Sequence, residues 1–143
     1  MNKKNCSIIF LLIFVLLLTG CGSGVPTYPG ISTDEARARM VINEYFLAIS
    51  NQNWNKARSY CVYGGTRYYT TTQIESIINS YRLYCSVVTI NVFPEIISTR
   101  VYGNYAEVYF YYSMTVSACG DFDSDSSYTT YGLQRVGNSW KLM

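Results

Sequence analysis

The hydrophobic pattern predicts an α+β fold, with N-terminal helices packed on a curved antiparallel sheet. From Ser32 to about Tyr84 apolar residues return at helical spacing. From Ser86 to Met143 they alternate with polar ones. Two Gly-Asn pairs, Gly103-Asn104 and Gly137-Asn138, punctuate the alternating half as hairpin turns. Helices first and a meander after is the order of a sheet wrapped against a long amphipathic helix.

A different kind of sequence precedes that domain. Lys3-Lys4 lead into an unbroken apolar run of 11 residues, Ile8 to Leu18, too short for the ~20 that a spanning helix needs. A basic start, an apolar stretch and small residues at its end have the layout of a cleaved signal peptide. The closing Leu18-Thr19-Gly20-Cys21 resembles the lipobox of bacterial lipoproteins. That resemblance implies cleavage after Gly20, diacylglycerol on the Cys21 thiol and usually a further acyl chain, such as palmitate, on the new amino terminus. Two or more chains hold a protein stably, at about 0.8 kcal/mol per buried CH₂. The expected organisation is a lipoprotein signal peptide over 1–20, a lipidated tether over 21–32 and one domain over 33–143. The expected location is the extracytoplasmic side of the cell membrane, or the outer membrane if the cell has one.

The mature part balances nine basic against nine acidic residues. A neutral surface gives no electrostatic reason to expect nucleic acid as partner. Histidine is absent, which removes the commonest general base and metal ligand. No Cys-x-x-Cys spacing points to a metal, and no cofactor is implied. An exported chain permits disulfides. Cys61 and Cys85, each near the end of a helix, are the expected pair, with reduced, buried Cys61, Cys85 and Cys119 as the alternative.

In order along the chain, Gly22 to Thr33 carries Gly, Ser and Pro with no apolar period, as a tether does. Ser32-Thr33-Asp34-Glu35 offers a capping box for a helix to about Ser50. Its Ala38, Val41, Ile42, Tyr45, Phe46, Ala48 and Ile49 share one side. A short helix is expected over Trp54 to Cys61, broken by Gly64-Gly65. Thr66 to Thr71 reads as a short strand or loop, and Thr72-Gln73-Ile74-Glu75 as the capping box of a third helix. Strands follow from Ser86, with Pro94 marking a bulge or an edge. Tyr105 to Val116 alternates most clearly. Ala118 to Ser127 reads as a polar, acidic loop, and Tyr128 to Val136 and Ser139 to Met143 as the closing strands.

Three features together resemble the NTF2-like (cystatin-like cone) family. They are the capped long helix followed by Asn53-Trp54-Asn55-Lys56-Ala57, the strand Gly103-Asn104-Tyr105-Ala106-Glu107-Val108, and the closing Gly137-Asn138-Ser139-Trp140-Lys141-Leu142. The resemblance implies a pocket between the concave face of the sheet and the helices. It also implies a choice among enzymes, ligand binders, dimers and assembly modules that the fold alone does not make. Enzymatic members place an Asp or His in that pocket, often beside a Tyr. Here the strand carboxylates are Glu95 and Glu107, and Glu107 falls on the less apolar face. Tyr112 points inward, where ketosteroid isomerase uses a Tyr as an oxyanion donor. No nucleophile, base and orienter assemble from these residues, so no catalytic residue is assigned.

Asp121-Phe122-Asp123-Ser124-Asp125 imitates the start of an EF-hand loop. It then fails, with Ser126 where Gly is needed and Gly132 where the bidentate Glu belongs. No metal site is expected there. Tyr105, Tyr109 and Tyr111 share one strand face, the composition of a partner or dimer surface or of cross-strand pairs covering one another. The sequence thus supports a lipid-anchored binding or accessory domain for a small ligand or an envelope protein, with a homodimer open. The alternative is a pocket enzyme of isomerase or dehydratase type.

Overall fold

The computed structural model describes residues 32–143. The lipobox Leu18-Thr19-Gly20-Cys21 and the rest of 1–31 lie outside the described residues. Three helices, α1 (Thr33–Ser50), α2 (Trp54–Ser59) and α3 (Thr66–Arg82), precede four strands. These are β1 (Val88–Tyr102), β2 (Tyr105–Ala118), β3 (Asp121–Val136) and β4 (Ser139–Leu142). The strands form one antiparallel sheet in sequential order, and the helices pack on its concave side. Among the described residues no helix is long and apolar enough to cross a membrane.

The capping box forms as its spacing predicts. Ser32 Oγ accepts from the Glu35 amide at 3.2 Å, and the Glu35 carboxylate accepts from the Ser32 amide at 2.7 Å. All seven residues assigned to the apolar side of α1 are buried. The last turn of α1 is pinned to the edge strand β1, where the Val92 amide donates to Ser50 Oγ at 2.8 Å. The Gln52 side-chain amide donates to the Val88 carbonyl at 2.8 Å. At the other end Asp34 pairs with Arg135 of β3 at 2.5 Å. That hydrogen bond holds the Asp34 carboxyl below the usual carboxylate range. So both ends of α1 are tied to strands of the sheet.

Three expectations are corrected. First, Thr66 to Thr71 is neither strand nor loop, and Thr72 caps nothing: α3 is one helix from Thr66. Thr70, Thr71 and Thr72 donate their hydroxyls to the carbonyls of Thr66, Arg67 and Tyr68. Threonines that disfavour helix in isolation are thereby accommodated inside one. Glu75, expected to reach back to a cap, pairs with Arg58 of α2.

Second, the acidic loop expected over Ala118 to Ser127 is strand. β3 pairs with β2 from Asp121 onward, and the connection is only Cys119-Gly120. Both turn residues have positive φ, 55° and 83°, the requirement of a type I′ hairpin, whose twist suits the flanking strands. Polar composition is no obstacle at a sheet end that stands partly in water.

Third, the disulfide joins Cys85 to Cys119, not Cys61 to Cys85, and Cys61 is a buried free thiol. The misread strand is the cause. Once β2 runs to Ala118, Cys119 lies at a hairpin tip beside the chain leaving α3, with Cα atoms of Cys85 and Cys119 4.8 Å apart. Cys61 instead bridges to Leu142 of β4.

β1 is an edge strand, and its register shifts between Ile96 and Ser98, so a bulge follows Pro94 as an edge allows. The core is aromatic. Phe110, fully buried, has its ring 4.9 Å from Tyr131, 5.6 Å from Phe46 and 6.5 Å from Tyr112, separations at which rings attract edge to face.

Candidate functional site

Alternation divides the sheet into two faces with different chemistry. On the outer face Tyr105 is exposed and Tyr109 and Tyr111 are half-buried, with Glu107 exposed among them. Much of what screens Tyr109 and Tyr111 is Tyr128 of β3. Its ring stacks on Tyr109 at 5.9 Å and lies tilted against Tyr111 at 5.0 Å. These rings thus form a cross-strand cluster, and Tyr105 stands apart, opposite Tyr102 and Gln134.

The concave face carries the feature that loop assignment concealed. Along β3, Asp121, Asp123, Asp125, Ser127, Thr129, Tyr131 and Leu133 share the face of Ala118, Val116, Met114, Tyr112, Phe110, Val108 and Ala106 of β2. Burial deepens steadily along that row. Asp121 and Asp123 are exposed, Asp125 and Ser127 half-buried, and Thr129 and Tyr131 buried. Four polar atoms there are shielded from solvent with no hydrogen-bond partner in the protein: Asp125 Oδ2, Tyr112 Oη, Thr129 Oγ1 and Tyr131 Oη. Buried polar groups are nearly always paired, so four on one strip of sheet require a reason.

The surroundings of the strip are defined by α3 and α1. The Arg67 guanidinium lies over the Tyr131 ring, 3.7 Å from its centre. Beside it, Tyr45 donates to Thr71 Oγ1 at 3.0 Å, since the Thr71 hydroxyl itself donates to the Arg67 carbonyl. Burial raises the phenols of Tyr45 and Tyr131 above the ordinary tyrosine value. Tyr112 is pushed up to about 12, by burial first and then by the negative charge of Asp125. All three stay protonated at neutral pH, as hydrogen-bond donors.

The sequence singled out Tyr112 but missed Asp125, Thr129 and Tyr131, and it considered only Glu95 and Glu107 as strand carboxylates. The available signal was the period of two in Asp121-Phe122-Asp123-Ser124-Asp125, which suits a strand as well as a calcium loop. Among the described residues no group of three metal-ligating side chains gathers.

A second concavity, about 330 Å³ and wide open, lies between α2 and the start of α3. Asn55, Arg58, Ser59, Cys61, Tyr63 and Tyr68 line it. Burial pushes the Cys61 thiol up to about 11, so it is a poor nucleophile at neutral pH.

No family model matches the chain, and no curated protein matches it in sequence. Solved structures do. A ketosteroid isomerase-like protein from Erwinia carotovora superposes with a TM-score of 0.61 at 12% identity, covering 78% of this chain and 92% of that one. An NTF2-like superfamily protein from Salmonella enterica gives 0.55 at 15%, over 78% and 88%. A cystatin-like-fold protein of unknown function from Nostoc punctiforme gives 0.57 at 8%, over 80% and 90%. The fold is therefore NTF2-like, as the closing Trp-Lys hairpin and capped helix suggested. At these identities the likeness carries no activity.

Proposed function

We propose that this chain is a lipid-anchored, extracytoplasmic binding domain that takes a small ligand against the concave face of its sheet. The observation that carries the reading is the strip of partnerless polar atoms on Asp125, Tyr112, Thr129 and Tyr131. Buried donors and acceptors with no protein partner raise the energy of the free protein. Because their atoms have no exposed surface, a ligand reaches them only where the helices part from the sheet, and pairing them then recovers that energy. The rest of the concave wall is apolar and packed, with Phe110, Val108 and Leu133 fully buried. Polar recognition is therefore confined to one band.

A second reading, a pocket enzyme of isomerase or dehydratase type, rests on one observation: Asp125 shares the concave face with Tyr112, diagonal to it across the β2–β3 pair, and its negative charge adds to the burial that raises the phenol. A carboxylate base beside a protonated tyrosine is the minimum for moving a proton next to a carbonyl. Against it, the chain has no histidine and the strip has no third group that orients the base, so the binding role is preferred. Asp125→Asn separates the two. A binder loses affinity in proportion to one hydrogen bond, whereas an enzyme loses turnover by orders of magnitude with its substrate affinity retained.

Lipid attachment is tested independently of the pocket. Cells expressing the full chain should incorporate labelled palmitate into it, and Cys21→Ser should abolish the label and release the protein from the membrane fraction. Label that survives Cys21→Ser rejects the lipobox, and with it the location, while leaving the concave site untouched.

A further inference from the structure

The open concavity between α2 and the start of α3 shares no lining residue with the concave strip. Its volume of about 330 Å³ is at the small end of what ligand pockets span, about 300–1,000 Å³, and has room for one ring-sized group. One wall is aromatic. The rings of Tyr63 and Tyr68 meet edge to face at 5.2 Å, and Tyr63 is 86% exposed. Tyr69, its ring 6.1 Å from that of Tyr68, is exposed beside them. The loop that carries Tyr63 is nonetheless fixed on both sides. The Val62 amide donates to the Leu142 carbonyl at 2.7 Å, the Gly65 amide to the Val62 carbonyl at 3.0 Å, and the Arg67 amide to the Met143 carbonyl at 3.2 Å. Gly64 takes the turn at φ 71°, a conformation that glycine adopts without steric cost. Tyr63 is thus held rigidly in water with no share in the core. A rigid, amphipathic ring of this kind supplies contact area at little entropic cost.

The polar side of the concavity is already partly paired. Arg58 is bound to the Glu75 carboxylate, and its Nη2 donates to Asn55 Oδ1 at 2.8 Å. Ser59 donates its hydroxyl to the Lys56 carbonyl at 2.7 Å. What these groups still offer is complementary. Asn55, its oxygen taken, has amide N–H groups to donate, and Ser59 Oγ, its proton spent, has lone pairs to accept. A hydroxyl uses both at once. An anion meets an Arg58 whose charge Glu75 already balances and a Ser59 oxygen that has no proton for it. A cation gains nothing from the Asn55 N–H groups and faces Arg58. We propose that this concavity takes one pyranose unit of a saccharide, with a C–H face of the ring against Tyr63 and Tyr68 and hydroxyls at its edge on Asn55 and Ser59. The electron-rich face of a tyrosine attracts the slightly positive C–H hydrogens. Since the concavity is open, neighbouring sugar units stay in water, and the site admits a unit within a chain as well as a free one. It is independent of any ligand on the concave strip.

The experiment is saturation-transfer NMR on the full chain in an amine-oxide detergent, which has no sugar headgroup. The probes are the methyl glycosides of glucose, galactose, mannose and N-acetylglucosamine, with choline and citrate as charged competitors for the site. Wild type should pass saturation to the ring C–H protons of at least one glycoside, more strongly on one face of the ring. Tyr63→Ala should weaken that binding about tenfold, through the loss of an aromatic contact. Asn55→Ala should weaken it as well. Both residues are exposed, so both variants should keep the wild-type melting midpoint. Tyr112→Phe, on the concave strip, should bind as wild type does. No transfer to any glycoside, or transfer that survives Tyr63→Ala, overturns the site, as do midpoints lowered in both exposed-residue variants. Transfer to choline or citrate in place of the glycosides overturns the ligand class. Transfer lost in Tyr112→Phe and kept in Tyr63→Ala also overturns this site, and moves the sugar to the concave strip.

Discussion

Replacing Phe110 with alanine is expected to cost about 3–5 kcal/mol of folding stability, the usual result of truncating a fully buried phenylalanine. Phe110 sits where the helix layer meets the centre of the sheet, with three aromatic rings inside 6.5 Å and no exposed surface. A ring lost there takes its transfer free energy with it. It also strips edge-to-face contacts from Phe46 and Tyr131, which are fixed by their own backbones and collapse inward only partly. Urea unfolding checks this, through a lowered midpoint with an unchanged slope. A loss below about 1 kcal/mol would mean that the concave wall is not packed as described. The same residue separates packing from recognition, because its change should not alter the ligand preference of whatever fraction stays folded.

The second large effect concerns the disulfide. Cys85→Ser should lower stability by roughly 3–4 kcal/mol, since a bridge across a separation of 34 residues restricts the unfolded chain by about that amount on the chain-entropy account. Cys61→Ala should cost less, because a small buried thiol is exchanged for a smaller side chain and no loop is opened. Peptide mapping without reductant should recover Cys85 joined to Cys119. Recovery of a Cys61–Cys85 peptide would overturn the pairing. So would equal losses in Cys61→Ala and Cys85→Ser.

Two of the three corrections, the acidic strand and the disulfide, share a cause: polar composition hides a strand. α1 was legible throughout because cap, stripe and stop agree. Ser32 and Glu35 close the box, seven apolar residues share a side, and Asn51 ends the helix. The long alternation from Tyr105 was legible for the same reason. Asp121 to Ser127 carries the same period of two with few apolar residues to display it, so only its partner, β2, reveals it as strand. The disulfide follows that strand, and so does Asp125. The start of α3 failed differently. Three consecutive threonines argue against helix by propensity, and the backbone carbonyls that accept their hydroxyls exist only once the helix has formed. Tyr112 was placed correctly because its neighbours Phe110 and Met114 mark the face. Thr129 and Tyr131 were assigned to a strand but not to a site, since the groups that leave them partnerless come from other elements.

The pairing of Asp34 with Arg135 fixes where a leash would attach. Ser32 begins α1 at the pole where β3 and β4 turn, whereas the Cys119-Gly120 hairpin stands at the opposite pole, at the start of the 16-residue β3, about 50 Å of strand away. From Cys21 to Ser32 is eleven residue steps, at most about 40 Å when fully drawn out. With Cys21 anchored as proposed, the domain is moored by one pole, and an upright domain holds the other pole clear of the bilayer. The open end of the concave row lies at that outer pole. A molecule arriving from the surroundings would thus meet the entrance before it met the membrane, and one delivered from the lipid would have to travel the height of the domain.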